Sequence, residues 1–198
     1  MNKEKEKSVY SVTLGILNQL DETREQPAVK ATLANLRNTL GMSLWEASGA
    51  WPILFERLPE SFISTYKEPS YEEHAIFTTL QLYAVHQQGK SDSVLETKGE
   101  SWQNIGTSLR ILRGGEQEKS VDHRMNTLVT STTFEELSHH LRQMIQILKS
   151  KSDAKVNYPR LAEDLYWFLR GYEKEMRLRW SREYYRISKL QGESEDEK

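Results

Sequence analysis

The sequence predicts an all-α protein, a two-lobed helical bundle. Three observations carry that expectation. Leu137, Leu141, Met144, Ile145 and Leu148 recur at i, i+4, i+7, i+8 and i+11, the apolar stripe of an amphipathic helix. Period-two alternation is scarce, and no hairpin dipeptide sits between alternating runs. The helical segments follow one another through short connections, which favour antiparallel neighbours.

In chain order, a first helix is expected over roughly Lys5 to Leu20 and a second over Pro27 to Leu40, with Pro27 suited to a first helical turn. Ser43-Leu44-Trp45-Glu46 has capping-box spacing: the serine takes the N3 amide and the glutamate reaches back. Pro52, Pro59 and Pro69 break the stretch from Trp51 to Ser70 into short pieces. Ser70-Tyr71-Glu72-Glu73 repeats the capping box and opens a helix that ends in His86 to Ser93. That Gly- and Ser-bearing stretch is the expected boundary between an N-terminal lobe, 1–92, and a C-terminal bundle, 93–192. Further helices are expected near 102–113, 119–131, 134–150, 159–170 and 172–190. Gly114-Gly115 stops the first, Thr133-Phe134-Glu135-Glu136 caps the third, and Asn157-Tyr158-Pro159 opens the fourth. Gly171 separates or kinks the last two. Residues 193–198 are expected to be a disordered acidic tail.

The chain has 198 residues, 37% of them hydrophobic and 28% charged, which suits one or two small soluble domains. No apolar run approaches the ~20 residues of a membrane span. The charged start, Met1 to Lys7, lacks the apolar core of a signal peptide, so a cytoplasmic location is expected. With no cysteine there is neither disulfide nor thiolate metal site. The net charge of −2 argues against a uniformly basic nucleic-acid binder. Its distribution is uneven, however: Trp102 to Gln191 holds sixteen Lys and Arg against eleven Asp and Glu.

Catalytic patterns are missing. The zinc-protease H-E-x-x-H is absent, and Glu136-Leu137-Ser138-His139 is a single E-x-x-H where a di-iron bundle needs two. A surface histidine pair explains His139-His140 better, and no metal or other cofactor is expected. Gly114-Gly115 has no P-loop lysine and reads as a helix stop. No G-x-S-x-G elbow or cysteine anchors a nucleophile, so no catalytic residue is assigned. Tyr172, Met176, Trp180, Tyr184 and Ile187 share one helical stripe, read as core or interface before a stacking platform.

What remains is cationic. Val121, Met125, Leu128 and Val129 point inward while Arg124 points elsewhere. His139, Arg142, Gln146 and Lys149 line a face different from the Leu137–Leu148 stripe. Gly106, Arg110 and Arg113 lie opposite Ile105, Leu109 and Leu112. Short consecutive helices would bring Arg110, Arg113, Arg124, Arg142 and Lys149 together. Guanidinium forks in such a groove grip phosphates without reading bases. The plainer account is that arginines decorate exposed helices and pair with Glu at i±4; for Arg179, Arg182, Arg186 and Lys189 both accounts stand.

From these residues onward the chain resembles the CasB family, the small subunit of the type I-E CRISPR Cascade surveillance complex. The resemblance is an ordered series. It runs through Ala34-Asn35-Leu36-Arg37, Leu80-Gln81-Leu82-Tyr83-Ala84-Val85-His86 and Ile105-Gly106-Thr107-Ser108-Leu109-Arg110. It continues through His123-Arg124-Met125-Asn126-Thr127-Leu128-Val129, Glu136-Leu137-Ser138-His139-His140-Leu141-Arg142, the stretch from Val156 to Leu165, and Trp180-Ser181-Arg182-Glu183-Tyr184-Tyr185. No single motif is specific; their order over roughly 30–186 is. The resemblance implies a two-lobed all-α protein without catalytic activity. Two copies would lie along the complex, steadying the guide RNA–target DNA hybrid and the displaced DNA strand, while a separate nuclease-helicase degrades the target. Its partners would be the other Cascade subunits, a second copy of itself, and the guide RNA and DNA strands. The matching basic positions are Arg37, Arg110, Arg124 and Arg142. The family's Arg-Arg pairs become Arg37-Asn38 and His123-Arg124, which lowers local charge, and neither 40–70 nor the acidic tail is covered.

The rival expectation is an α-helical DNA-binding transcriptional regulator. The helices flanking Gly114-Gly115 would form a helix-turn-helix, although the second must also supply Val121, Met125 and Leu128 to the core.

Overall fold

The computed structural model describes residues 7–100, 103–114 and 117–186. Its helices are α1 (Val9–Glu22), α2 (Pro27–Asn38), α3 (Trp51–Phe55), α4 (Tyr71–Gln87), α5 (Ile105–Leu109), α6 (Glu118–Val129), α7 (Phe134–Lys151), α8 (Tyr158–Leu169) and α9 (Glu173–Tyr184). Short 3-10 turns lie at Ser48–Ala50, Glu60–Phe62 and Arg110–Leu112. Among the described residues the extended pairing is one isolated parallel bridge, Leu95 to Val156. The all-α class is therefore observed. The acidic tail, 193–198, and Ile187 and Lys189 of the expected last helix lie outside the described residues.

Caps explain where the long helices begin. Ser70 and Glu73 form a reciprocal capping box at α4, as do Thr133 and Glu136 at α7. Ser8 and Ser11 form another at α1, with a serine at N3 in place of glutamate. The Ser43–Glu46 signature does something else. The Glu46 carboxylate accepts from the Ser43 backbone N–H at 3.1 Å and its hydroxyl at 2.8 Å, but the pair closes a turn and no helix follows. Leu44, Ala47 and Ala50 are buried, but Trp45 is exposed and Gly49 follows in a 3-10 turn. The helix expected over 102–113 is likewise shorter. Asn104 caps α5 by accepting from the Gly106 N–H at 2.9 Å, and the chain tightens into a 3-10 turn before Gly114, whose φ is +103°.

From Ala75 to Gln87, α4 is buried on every side, which marks it as the central helix. It packs most extensively on α8 and α7, then on α2; α1 also lies along α8. One cluster of buried side chains runs from Val9 to Tyr184. The cluster takes in residues on both sides of 92/93. The connector there is pinned: the Gln87 side chain donates to the Lys90 and Asp92 carbonyls, each at 3.0 Å, and accepts from the Val94 N–H at 3.1 Å.

The aromatic stripe of α9 is core. Met176, Trp180 and Tyr184 are buried, while Tyr172 at its start is exposed. Trp180 Nε1 donates to the buried Asp164 at 2.7 Å, and the Tyr184 hydroxyl donates to Asp122 at 2.8 Å. Such partners are what buried indole and phenol groups require.

His86, fully buried on α4, gives the fold a pH dependence. Its Nδ1 lies 3.0 Å from the Tyr158 hydroxyl, while Nε2 has no partner. Burial pushes its pKa from 6.5 down to about 4, with Lys90 and Lys149 repelling a proton further. The ring is neutral in the fold, and protonation favours the unfolded chain. This contribution is intact above pH 6.5 and is lost as pH falls towards about 4, roughly 3 kcal/mol in all. Urea midpoints measured across that window should fall more steeply for the natural chain than for His86→Gln; parallel curves would contradict this.

Candidate nucleic-acid interface

Helix α7 carries the centre of the candidate surface. Leu137, Leu141, Met144, Ile145 and Leu148 are all buried, so the face with His139, Arg142, Gln146 and Lys149 is turned away from the core. His139 is bracketed by its neighbours: Arg142 Nη2 lies 3.3 Å from Nδ1, and Gln143 Nε2 lies 2.9 Å from Nε2. Gln143 in turn lines a cleft of about 310 Å³ with His123, Arg124 and His140, at the seam with α6. Val121, Met125 and Leu128 hold α6 on α7 and leave Arg124 exposed. Arg124 thus lines this seam, while Arg142, beside His139, lines a cleft between α4 and α7.

Lys149 lies seven residues beyond Arg142, about 10 Å further along the helix. Its ammonium donates to Gln88 Oε1 at 3.3 Å, just past the end of α4. Burial holds it below its ordinary pKa, and Arg37 and then Lys90 push the same way. The Arg37 guanidinium, from α2, reaches the Ala84 carbonyl at 3.5 Å, and burial lowers its pKa too. Three cations thus converge where α4 exposes unsatisfied carbonyls and the negative end of its dipole. Arg37, Lys90, Arg24 and Lys30 also line one cleft of about 480 Å³. Lys90 is held by Asp153 at 2.6 Å and Lys30 by Glu25 at 2.9 Å. Arg37, Arg124, Arg142 and Lys149 have no carboxylate within ion-pairing distance among the described residues.

Arg110 and Arg113 lie elsewhere. Both line a cleft of about 710 Å³ beside α9, with Lys155 across it. Arg110 has no ion pair there. Arg113 binds Asp122 at 3.0 Å and Glu118 at 2.9 Å, and its guanidinium stands 5.0 Å from the centroid of the Tyr185 ring. That clasp ties the turn after α5 to α6 and to the end of α9, as the plainer account of an arginine on a helix would have it. Gly106 is not part of a basic face at all; it is the point where α5 touches α9. Arg179 is spent on Asp164 at 2.9 Å. Arg186 has Glu183 at 3.3 Å. Helical periodicity missed Lys90, which stands after Gly89 in the expected boundary stretch. A cation just past a helix C-terminus was the available signal.

α5 spans five residues, too few for the first helix of a helix-turn-helix, and α6 spends its apolar face on α7. Among the described residues no three His, Asp or Glu side chains converge as metal ligands, and no helix is long and apolar enough to cross a membrane.

The family model described as CRISPR-associated protein Cse2 matches residues 32–185. The chain belongs to the Cse2 family. Solved structures agree with the fold. Cse2-type similarity extends to CasB from Thermobifida fusca, 23% identical, with a TM-score of 0.70 and coverage of 89% of this chain and 97% of that one. CasB from M. ruber is 24% identical, with a TM-score of 0.65 over 91% of this chain and 94% of that one. A chain of a CRISPR RNA-guided surveillance complex is 16% identical, with a TM-score of 0.64 over 89% and 95%. No curated protein matches. The Cse2 match begins within α2 and ends just after α9, so it takes in Arg37, Arg124, Arg142 and Lys149.

Proposed function

We propose that this Cse2-family chain is a non-catalytic small subunit of the type I-E CRISPR Cascade surveillance complex, acting in the cytoplasm in antiviral defence. It steadies the guide RNA–target DNA hybrid and the displaced strand by gripping their phosphates without reading sequence. The observation that carries this is the set Arg37, Arg124, Arg142 and Lys149: four cations on and around α7 without a carboxylate partner. Arg37 and Lys149 even stand close enough to repel one another. A polyanion neutralises such a cluster and releases counterions on doing so.

Its partners are the other Cascade subunits, a second copy of this chain, the guide RNA and the DNA strands. Trp45, Trp51, Phe55 and Tyr66 are exposed on the N-terminal half, surface of the kind that protein partners bury. Arg110 with Lys155 offers a second anion site.

Reconstitution tests the reading. The chain should co-purify with the other Cascade subunits and guide RNA. The assembly should retain target DNA of unrelated sequences more tightly with this subunit than without it, and the subunit itself should degrade none of it. Equal retention with and without the chain would contradict the proposal.

A further inference from the structure

The cleft of about 310 Å³ along the seam of α6 and α7 is lined by Ser120, His123 and Arg124 from one helix and by His140 and Gln143 from the other. Resting on the phosphate-binding reading above, we propose that this seam is a proton-linked phosphate clamp. One phosphate of the bound strand seats beside Arg124, and His123 and His140 take up protons from solution as it does so.

The groups that meet here suit an anion. Arg124 offers its guanidinium fork and Ser120 a hydroxyl. His123 stands on α6 and His140 on α7, so the two rings reach a ligand from opposite sides. No carboxylate lines the cleft. The side chains of Ser120, His123, Arg124 and His140 make no hydrogen bond among the described residues, so their donors are at a ligand's disposal. His139 shows the contrast. Its ring lies 5.3 Å from that of His140, yet Arg142 and Gln143 occupy its two nitrogens. The histidine pair is thus divided: one ring serves its own helix, and the other faces the seam.

Imidazole is the side chain whose ordinary ionisation falls between pH 5 and 8. A neutral ring has one N–H to give; a charged ring has two, and a full positive charge besides. An anion held between two such rings favours the charged form of each, and binding and protonation then strengthen one another. The protein does not supply that anion itself. Glu136, one turn before His140 and near enough to interact with it, spends its carboxylate on Thr132 and Thr133 at the start of α7. Lys119, one turn before His123, adds positive charge. Asp122 turns to Arg113 and Tyr184. From α9, Arg177 is taken by the Ser131 carbonyl. Helix α4 packs on α7 from the core side, with His74 against Phe134.

The test reads the affinity of the assembled effector for one fluorescent target DNA from pH 8.5 to 6.5 at fixed ionic strength. It compares the natural chain with His123→Gln combined with His140→Gln. Glutamine keeps a polar amide and cannot ionise, and the window stays above the range in which His86 weakens the fold. At pH 8.5 the two effectors should bind alike, which shows that the variant folds and that Arg124 still works. By pH 6.5 the natural chain should gain roughly tenfold over the variant, the scale of one linked proton across one pH unit. Calorimetric titrations at pH 7 in buffers of different ionisation enthalpy should show proton uptake on binding, reduced in the variant. Parallel affinity curves, coincident or displaced, would overturn the clamp and leave the phosphate reading standing. Binding by neither effector would remove both.

Discussion

Gly106→Ala should cost about 3 kcal/mol of folding stability, one of the largest single losses available in this chain. A methyl group at this position would overlap the Trp180 carbonyl oxygen and lie 3.0 Å from its carbon. Both atoms are backbone in the middle of α9, so no rotamer change relieves the clash. Moving α9 away is costly, because it carries Trp180 and Tyr184, whose buried polar atoms are tied to Asp164 and Asp122. Those carboxylates also hold Arg179 and Arg113. The displacement therefore spreads through α8, α6 and the turn after α5. Urea unfolding reads this directly as a lower midpoint; an unchanged midpoint would mean that α5 and α9 do not touch at this glycine.

Arg124→Ala combined with Arg142→Ala should weaken retention of DNA by the assembled effector about a hundredfold, taking about 1.5 kcal/mol for each charged contact. Folding should be almost untouched. Among the described residues Arg124 is exposed and has no carboxylate partner, and Arg142 bonds to the exposed His139. Neither substitution opens a cavity or strands a buried partner. Because the contacts are to phosphate, the loss should be the same for targets of unrelated sequence. A loss confined to one sequence would point to base readout. Arg113→Ala should behave in the opposite manner. It breaks the clasp on Asp122 and Glu118, lowering stability, with little direct effect on DNA.

The fold was legible to the extent that local chemistry sets it. The Leu137–Leu148 stripe, the boxes at Ser70 and Thr133, and the stop at Gly171, with φ of +84°, all appear at their expected places. Ser43–Glu46 shows why the spacing alone is insufficient: the Ser43 hydroxyl donates to the Glu46 carboxylate rather than accepting its N–H, Gly49 follows, and the chain closes a turn. What was not legible is the packing around α4: it is buried all round and shows almost no amphipathic asymmetry, so its sequence gives no direction for α1 and α8 to be placed.

The candidate site was legible in half. Periodicity alone put Arg142 and Lys149 on an outward face of α7. It could not show that Arg37, more than a hundred residues earlier, ends beside Lys149, since that depends on α2 and α7 both packing on α4. Arg110 and Arg113 illustrate the converse. Three residues apart and read on one face, they meet different fates, because Asp122 and Glu118 lie within reach of one of them only.

The most direct test is the salt dependence of DNA binding by the assembled effector, with the natural chain and with Arg37, Arg124, Arg142 and Lys149 all replaced by alanine. A plot of log affinity against log salt should lose about three in slope, close to 0.7 to 0.9 for each phosphate contact removed. The change should be the same for targets of any sequence and somewhat smaller for single-stranded than for double-stranded DNA. An unaltered slope would show that these four cations do not meet the phosphate backbone, and would contradict the account at its centre.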